Sequence, residues 1–145
     1  LEFRRVLFRS PDDLGTYVQR LVAANDGLHA SDAEAAMEAL ERFQASTVWG
    51  NLRQADPVYT DVSFAVNEHR SDTDRIVRDR IDLIYYNPQG WHLVAFDTRA
   101  APGPRDITWR KAQVDILADR WEAIAGQAVT RRSLWLLGSG RSVTW

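Results

Sequence analysis

Two apolar runs around a four-residue turn constrain the fold of this chain more than any other segment: Arg80-Ile81-Asp82-Leu83-Ile84-Tyr85-Tyr86, then Asn87-Pro88-Gln89-Gly90, then Trp91-His92-Leu93-Val94-Ala95-Phe96-Asp97. Pro and Gly in the turn favour a tight reversal, so the segment is predicted to be a β-hairpin. Pairing Tyr86 with Trp91 sets the register and brings Asp82 directly opposite Ala95. Residues opposed in this way hold their Cβ atoms about 4.5–5.5 Å apart, close enough for two carboxylates to share a divalent metal. Here one of the two positions carries only a methyl group. Both hairpin faces are apolar, with Ile81, Leu83 and Tyr85 on one and Ile84 and Tyr86 on the other, where Asp82 also lies. That pattern predicts a central sheet covered on both sides.

The chain has 145 residues, 45% of them apolar, which suits one domain with a real core, and no apolar run approaches membrane-spanning length. It contains no cysteine, which excludes disulfides and thiolate metal sites and leaves a cytoplasmic setting as the default. Its net charge of −2 argues against a wholly basic nucleic-acid-binding surface but permits a local patch.

Residues 1–10, Leu1-Glu2-Phe3-Arg4-Arg5-Val6-Leu7-Phe8-Arg9-Ser10, match the translation of a widely used short-read sequencing adapter and are expected to be an artefact rather than natural sequence. Removing three arginines and one glutamate leaves 15 basic and 19 acidic residues, a net charge of −4 over residues 11–145, which are expected to form a single domain from the C-terminal part of a larger protein.

Periodicity predicts a helix from about Pro11 to Asn25, with Tyr17, Val18, Leu21 and Val22 as its stripe. A second helix is predicted from a capping box at Ser31-Asp32-Ala33-Glu34 through Phe43, and a short turn of helix near Trp49. Val58 to Val66 alternates as a strand, with Val58, Val62, Phe64 and Val66 on one face and Asp61 and Ser63 on the other. Asn67 to Asp74 is polar enough to be an exposed loop. After the hairpin, Ala100 to Pro104 forms a linker, Asp106 caps a long helix to about Ala125, and Gly126 ends it. Ala128 to Leu137 and Ser142 to Trp145 complete the strands around Gly138-Ser139-Gly140-Arg141, a hairpin turn with no lysine for phosphate cradling.

In that order the elements carry Gly15-Thr16-Tyr17-Val18-Gln19, Asp61-Val62-Ser63-Phe64, Asp79-Arg80-Ile81-Asp82-Leu83-Ile84, Trp91-His92-Leu93-Val94-Ala95-Phe96-Asp97-Thr98 and Gln113-Val114-Asp115-Ile116-Leu117. From about Leu14 to Trp145 the chain resembles the PD-(D/E)XK nuclease domain at the C-terminus of RecB/AddA-type, UvrD-like helicase-nucleases. The family's motifs run Gly-Thr-x-x-His, Glu-x-Pro-Phe, Gly-Arg-Ile-Asp-Leu-Ile, Trp-x-x-Val-Asp-Tyr-Lys-Thr and Gln-x-x-x-Tyr. The resemblance implies an α/β, restriction-endonuclease-like fold, a mixed central sheet flanked by helices on both faces.

In the family, two aspartates and a helix histidine hold metal ions that activate water, and a lysine neutralises charge on the attacked phosphate. Position by position, the histidine is Gln19, the first aspartate is Asp82, the second is Ala95, the lysine is Asp97 and the last tyrosine is Leu117. Asp82 and Gln113 are kept, and Asp61 is a shortened stand-in for glutamate. Losing one charge-stabilising group costs about 10²–10³ in rate, and Mg²⁺ rarely binds through one carboxylate without substrate help. The resemblance therefore implies a vestigial, catalytically inactive nuclease-like domain of an ATP-dependent DNA helicase involved in double-strand break repair, with no cofactor. Its expected partners are DNA, through Arg99, Arg110 and Lys111, the helicase domains of its own chain, and a partner subunit.

Two alternatives stay open at this point. Asp97-Thr98-Arg99 has the form of the acid-x-cation motif moved two residues, about 6.6–6.8 Å, along the strand. Asp82 and Asp97 could then hold Mg or Mn, with Asp61 and Lys111 completing an active metal-dependent exonuclease. The other alternative is a purely structural module of a helicase. His29 and His69 read as loop residues and His92 as a cross-strand partner of Tyr85, so none has metal-ligand spacing. Trp91, Trp121 and Trp135 fall on apolar stripes and read as core, whereas Trp49 and Trp109, nearer loops, are candidate base-stacking surfaces.

Overall fold

The computed structural model describes residues 29–70 and 73–145, together with 20, 23, 24 and 27. The helix expected from Pro11 to Asn25, including Gln19, falls almost wholly outside the described residues. The chain divides into two compact units, Leu1–Arg53 and Gln54–Trp145.

The first unit contains α1 (Ala30–Gln44) and α2 (Thr47–Arg53). The capping box lies two residues earlier than expected: His29 is the N-cap, and its backbone N–H donates to the Asp32 carboxylate at 2.5 Å. Between the helices, the Ser46 hydroxyl donates to the Phe43 carbonyl at 2.6 Å and accepts the Trp49 N–H at 3.2 Å, which restarts the helix.

The second unit is a five-stranded sheet in the spatial order β1-β2-β3-β4-β5: β1 (Val58–Arg70), β2 (Thr73–Asn87), β3 (Gly90–Asp97), β4 (Val129–Leu136) and β5 (Arg141–Thr144). All neighbours are antiparallel except β3 and β4, which run parallel. The parallel pair needs a crossover, and α3 (Pro104–Ala125) supplies it. This mixed sheet with three helices among the described residues is an α/β fold consistent with a restriction-endonuclease-like arrangement. No helix among the described residues is long and apolar enough to cross a membrane.

The sequence of α3 explains its position. Pro104 occupies the first turn, where its missing N–H costs nothing, and Gly126 closes the other end at φ 68°. Asp106 is not the N-cap itself; Gly103 is, and Asp106 accepts the Gly103 N–H at 2.9 Å from the third helical position. Val114, Ala118 and Trp121, spaced i, i+4, i+7, are buried in one cluster with Ile84, Trp91, Leu93, Ala95, Leu134 and Leu136. Burying side chains the size of Val114, Ile84 or Leu93 contributes about 1.5–3 kcal/mol each before conformational entropy is subtracted. The half-buried Arg120 adds a polar anchor: it donates to Glu68 on β1 at 2.9 Å and is paired with Asp79 on β2.

Of the expected loop from Asn67 to Asp74, the described residues 67–70, 73 and 74 are instead strand. β1 and β2 stay paired through Asn67↔Ile76, Glu68↔Arg75, His69↔Asp74 and Arg70↔Thr73, so His69 is a strand residue. Polarity predicted a loop, but an antiparallel ribbon tolerates polar side chains when they face water or one another, and the exposed His69 Nδ1 sits 2.5 Å from Asp74. The turn at Gly138 also matches a hairpin; a Cβ added there would come within 2.3 Å of the Ala100 carbonyl oxygen, so only glycine fits.

The uninterrupted alternation expected from Val58 to Val66 is also corrected. Tyr59 and Phe64 both meet Trp121, at ring distances of 6.3 and 6.2 Å. Residues five apart on a regular strand would point to opposite faces. Asp61, at φ 54°, absorbs the reversal; aspartate tolerates this left-handed region better than most side chains do. The opposite strand reverses at the matching place: Ile81 and Ile84, three apart, join the same buried cluster. Val58 therefore lies on the face away from α3, and Ile81 lies on the α3 side rather than with Leu83 and Tyr85.

Candidate functional site

The β1–β2 pairing runs through Thr60↔Leu83 and resumes at Val62↔Ile81, which leaves Asp61 and Asp82 opposite one another at the interruption. On the other side, β2–β3 pairing extends from Asn87↔Gly90 to Leu83↔Val94 and includes the expected Tyr86↔Trp91 pair. One step further the same register sets Asp82 against Ala95, but the strands have begun to part there.

Asp82 fills the fork. Its Oδ2 accepts the backbone N–H of Phe96 at 3.0 Å, replacing the ladder bond that the parting strands no longer make. From α3, Arg110 Nη2 donates to the Phe96 carbonyl at 3.2 Å. Two charged side chains thus serve the backbone of one residue, and such charge-assisted bonds are stronger than neutral ones.

Asp97 ends β3, and its side chain is only 3% exposed. It accepts the Arg99 backbone N–H at 3.0 Å, Arg99 Nε at 2.9 Å and Arg99 Nη2 at 2.5 Å. The hydrogen bond from the Arg99 side chain holds the Asp97 carboxyl below its usual range against the opposing pull of burial. Arg99 Nη1 also pairs with Asp106 at 2.9 Å, which ties the end of β3 to the first turn of α3.

Lys111, Gln113 and Leu117 belong to α3, and Asp61 lies across from Asp82 on β1. Lys111 is 4.6 Å from the Trp145 ring centre in a cation–π contact. Asp61 is exposed and ion-paired with Arg80. Gln113 is half-buried on α3, and Leu117 packs against the core. Among the described residues, no group of three or more His, Cys, Asp or Glu side chains could hold a metal ion. With an N–H on Asp82, Asp61 paired with Arg80, Asp97 paired with Arg99 and a methyl group at Ala95, this donor set does not fit a hard divalent ion, which wants several oxygen ligands.

His92 does pair with Tyr85, its Nδ1 meeting the Tyr85 hydroxyl. Sequence reasoning missed the contacts on the other side of the ring. His92 Nε2 lies 2.8 Å from Ser133 Oγ, which lies 2.8 Å from Thr144 Oγ1, so a polar chain, buried at Tyr85, His92 and Ser133 and reaching the surface at Thr144, crosses β2, β3, β4 and β5. Desolvation, aided by the charge of Arg131, lowers the His92 pKa to about 4, so the ring is neutral near pH 7. No local spacing signals this chain, because its members come from four strands.

Trp91, Trp121 and Trp135 are buried as expected. Trp109 lies in the second turn of α3, close to the preceding linker, and is 59% exposed. It borders a shallow cavity of about 210 Å³ lined by Phe96, Asp97, Thr98, Arg99, Trp109 and Arg110.

No family model matches the chain. Among curated proteins it is similar to an ATP-dependent helicase/nuclease subunit of Staphylococcus haemolyticus (strain JCSC1435), with 28% identity over 103 residues. The match covers 66% of this chain and 8% of that protein. A solved structure described as the crystal structure of SSO0001 superposes with a TM-score of 0.48 and 15% identity, over 97% of this chain and 63% of that one. The curated match is weak and hints at a related nuclease-like domain.

Proposed function

We propose that this chain is a PD-(D/E)XK-type domain that has lost cleavage chemistry and serves a DNA helicase-nuclease in double-strand break repair by holding or guiding a DNA strand and contacting a partner subunit. The observation that carries the reading is the fork at Asp82. Metal-assisted phosphodiester cleavage needs convergent carboxylates to bind the ion and a nearby cation to offset developing charge. Here Asp82 accepts the Phe96 N–H, with Ala95 next in register. The acid that follows, Asp97, is held by Arg99, and Lys111 lies over Trp145. A missing ligand and a missing cation, at about 10²–10³ in rate each, leave little activity to expect.

The test is incubation of the purified chain with labelled single- and double-stranded DNA in Mg²⁺ or Mn²⁺. No cleavage above the buffer rate is expected. Cleavage that appears and then vanishes in Asp82→Ala would overturn the inactive reading in favour of a rearranged metal site. DNA affinity that fails to fall with rising salt would instead favour a purely structural module, because phosphate contacts release counterions.

A further inference from the structure

We infer that the cavity where β3 meets α3 is a subsite for single-stranded nucleic acid, in which one unpaired base lies on the Trp109 indole and the neighbouring phosphate meets the Arg110 guanidinium. The inference deepens, and rests on, the strand-holding part of the proposed function.

Three observations converge on the cavity. The helix carries two tryptophans with opposite fates: Trp121 is 9% exposed in the core, whereas Trp109 presents 59% of its surface to solvent beside a concavity. An exposed indole face is a stacking platform for any base, worth about 1–3 kcal/mol per base. Second, the lining carries two guanidiniums and one carboxylate. Arg99 is committed to Asp97 and Asp106, so Arg110 is left as the cation that a phosphate would meet, with Nη2 fixed by the Phe96 carbonyl. Third, about 210 Å³ is smaller than the usual pocket for a whole ligand. It suits a phosphate or a base edge, with the rest of the strand outside. Bases in a duplex already have both faces stacked, so this geometry selects an unpaired strand.

The experiment is fluorescence anisotropy at low salt with the whole chain, using a labelled oligothymidylate of about 12 nucleotides and a duplex of equal length. The chain is expected to prefer the oligothymidylate. Trp109→Ala should weaken that binding about tenfold, the equivalent of about 1.4 kcal/mol, Trp109→Phe should retain most of it, and duplex binding should be unchanged. Trp109 is exposed, so an unaltered unfolding curve is expected for both variants and separates lost stacking from lost fold. Equal oligothymidylate affinity in Trp109→Ala and the parent chain would overturn this inference alone. A parent chain that binds neither probe would overturn the strand-holding reading and this subsite with it.

Discussion

The Asp82 carboxylate accepts the Phe96 backbone N–H at 3.0 Å, so this acid spends an oxygen on holding the hairpin together where its strands part. A charge-assisted bond of this kind contributes about 1.5–3 kcal/mol. Asp82→Ala should therefore destabilise the chain by about 2 kcal/mol, and Asp82→Asn, which keeps an oxygen acceptor, by clearly less. Urea unfolding with an unchanged slope reads both values; an Asp82→Ala midpoint equal to that of the parent would show that the bond does not hold in solution.

Restoring a second carboxylate tests the register itself. Ala95 is 4% exposed, so Ala95→Asp puts an uncompensated charge into the sheet and should destabilise it by about 3 kcal/mol. If residues 82 and 95 converge as the register carried one step beyond Leu83↔Val94 would place them, millimolar Mn²⁺ should raise the melting temperature of Ala95→Asp but not of Ala95→Asp with Asp82→Ala. A melting temperature indifferent to Mn²⁺ in both would show that the two side chains diverge.

The neutral His92 gives the fold a pH dependence of defined sign. Unfolded histidine binds its proton near pH 6.5, whereas the buried ring resists until about 4. Between those values the unfolded state holds more protons, so stability falls as the pH drops from 6.5 towards 4 and is constant, as far as this group is concerned, above and below that window. The full effect is about 3 kcal/mol. His92→Gln should be less stable at pH 7, because the Tyr85 and Ser133 hydroxyls lose their partner, and should show a flatter profile between pH 4 and 6.5 in denaturant titrations.

Asp97 responds at lower pH. Its folded carboxyl is held below the unfolded value by the Arg99 hydrogen bond, so its contribution is present above the unfolded value and is lost as the pH falls through the folded one. Arg99→Ala removes the cause. The Asp97 carboxyl should then titrate at higher pH by NMR, and acid unfolding should begin at a higher pH than in the parent chain.

Much of this fold was legible in the sequence because it is written in local patterns. The hairpin register followed from Tyr86, Trp91 and the turn between them; the long helix to about Ala125 and its left-handed end at Gly126 followed from the capping residues, and Trp121 fell on an apolar stripe. The cross-strand partnership of Tyr85 and His92 came with the register. Polar composition misled at Asn67 to Asp74, where a ribbon satisfies its backbone without burying side chains.

The candidate site was legible as residue types but not as contacts. Reading the chain alone determined that a single carboxyl remains where the hairpin register would pair two, since Asp82 and Ala95 are fixed by counting along two strands. Only the tertiary structure decided what the charged groups do. Arg110 reaches Phe96 from a helix 14 residues away, Arg120 bridges two strands, and Asp61 reverses the face of β1 by adopting φ 54°. Strand and helix periods are local and survive in one dimension, whereas the partner of a charge depends on which distant backbone is brought within about 3 Å, and that is settled when the sheet twists and α3 packs against it.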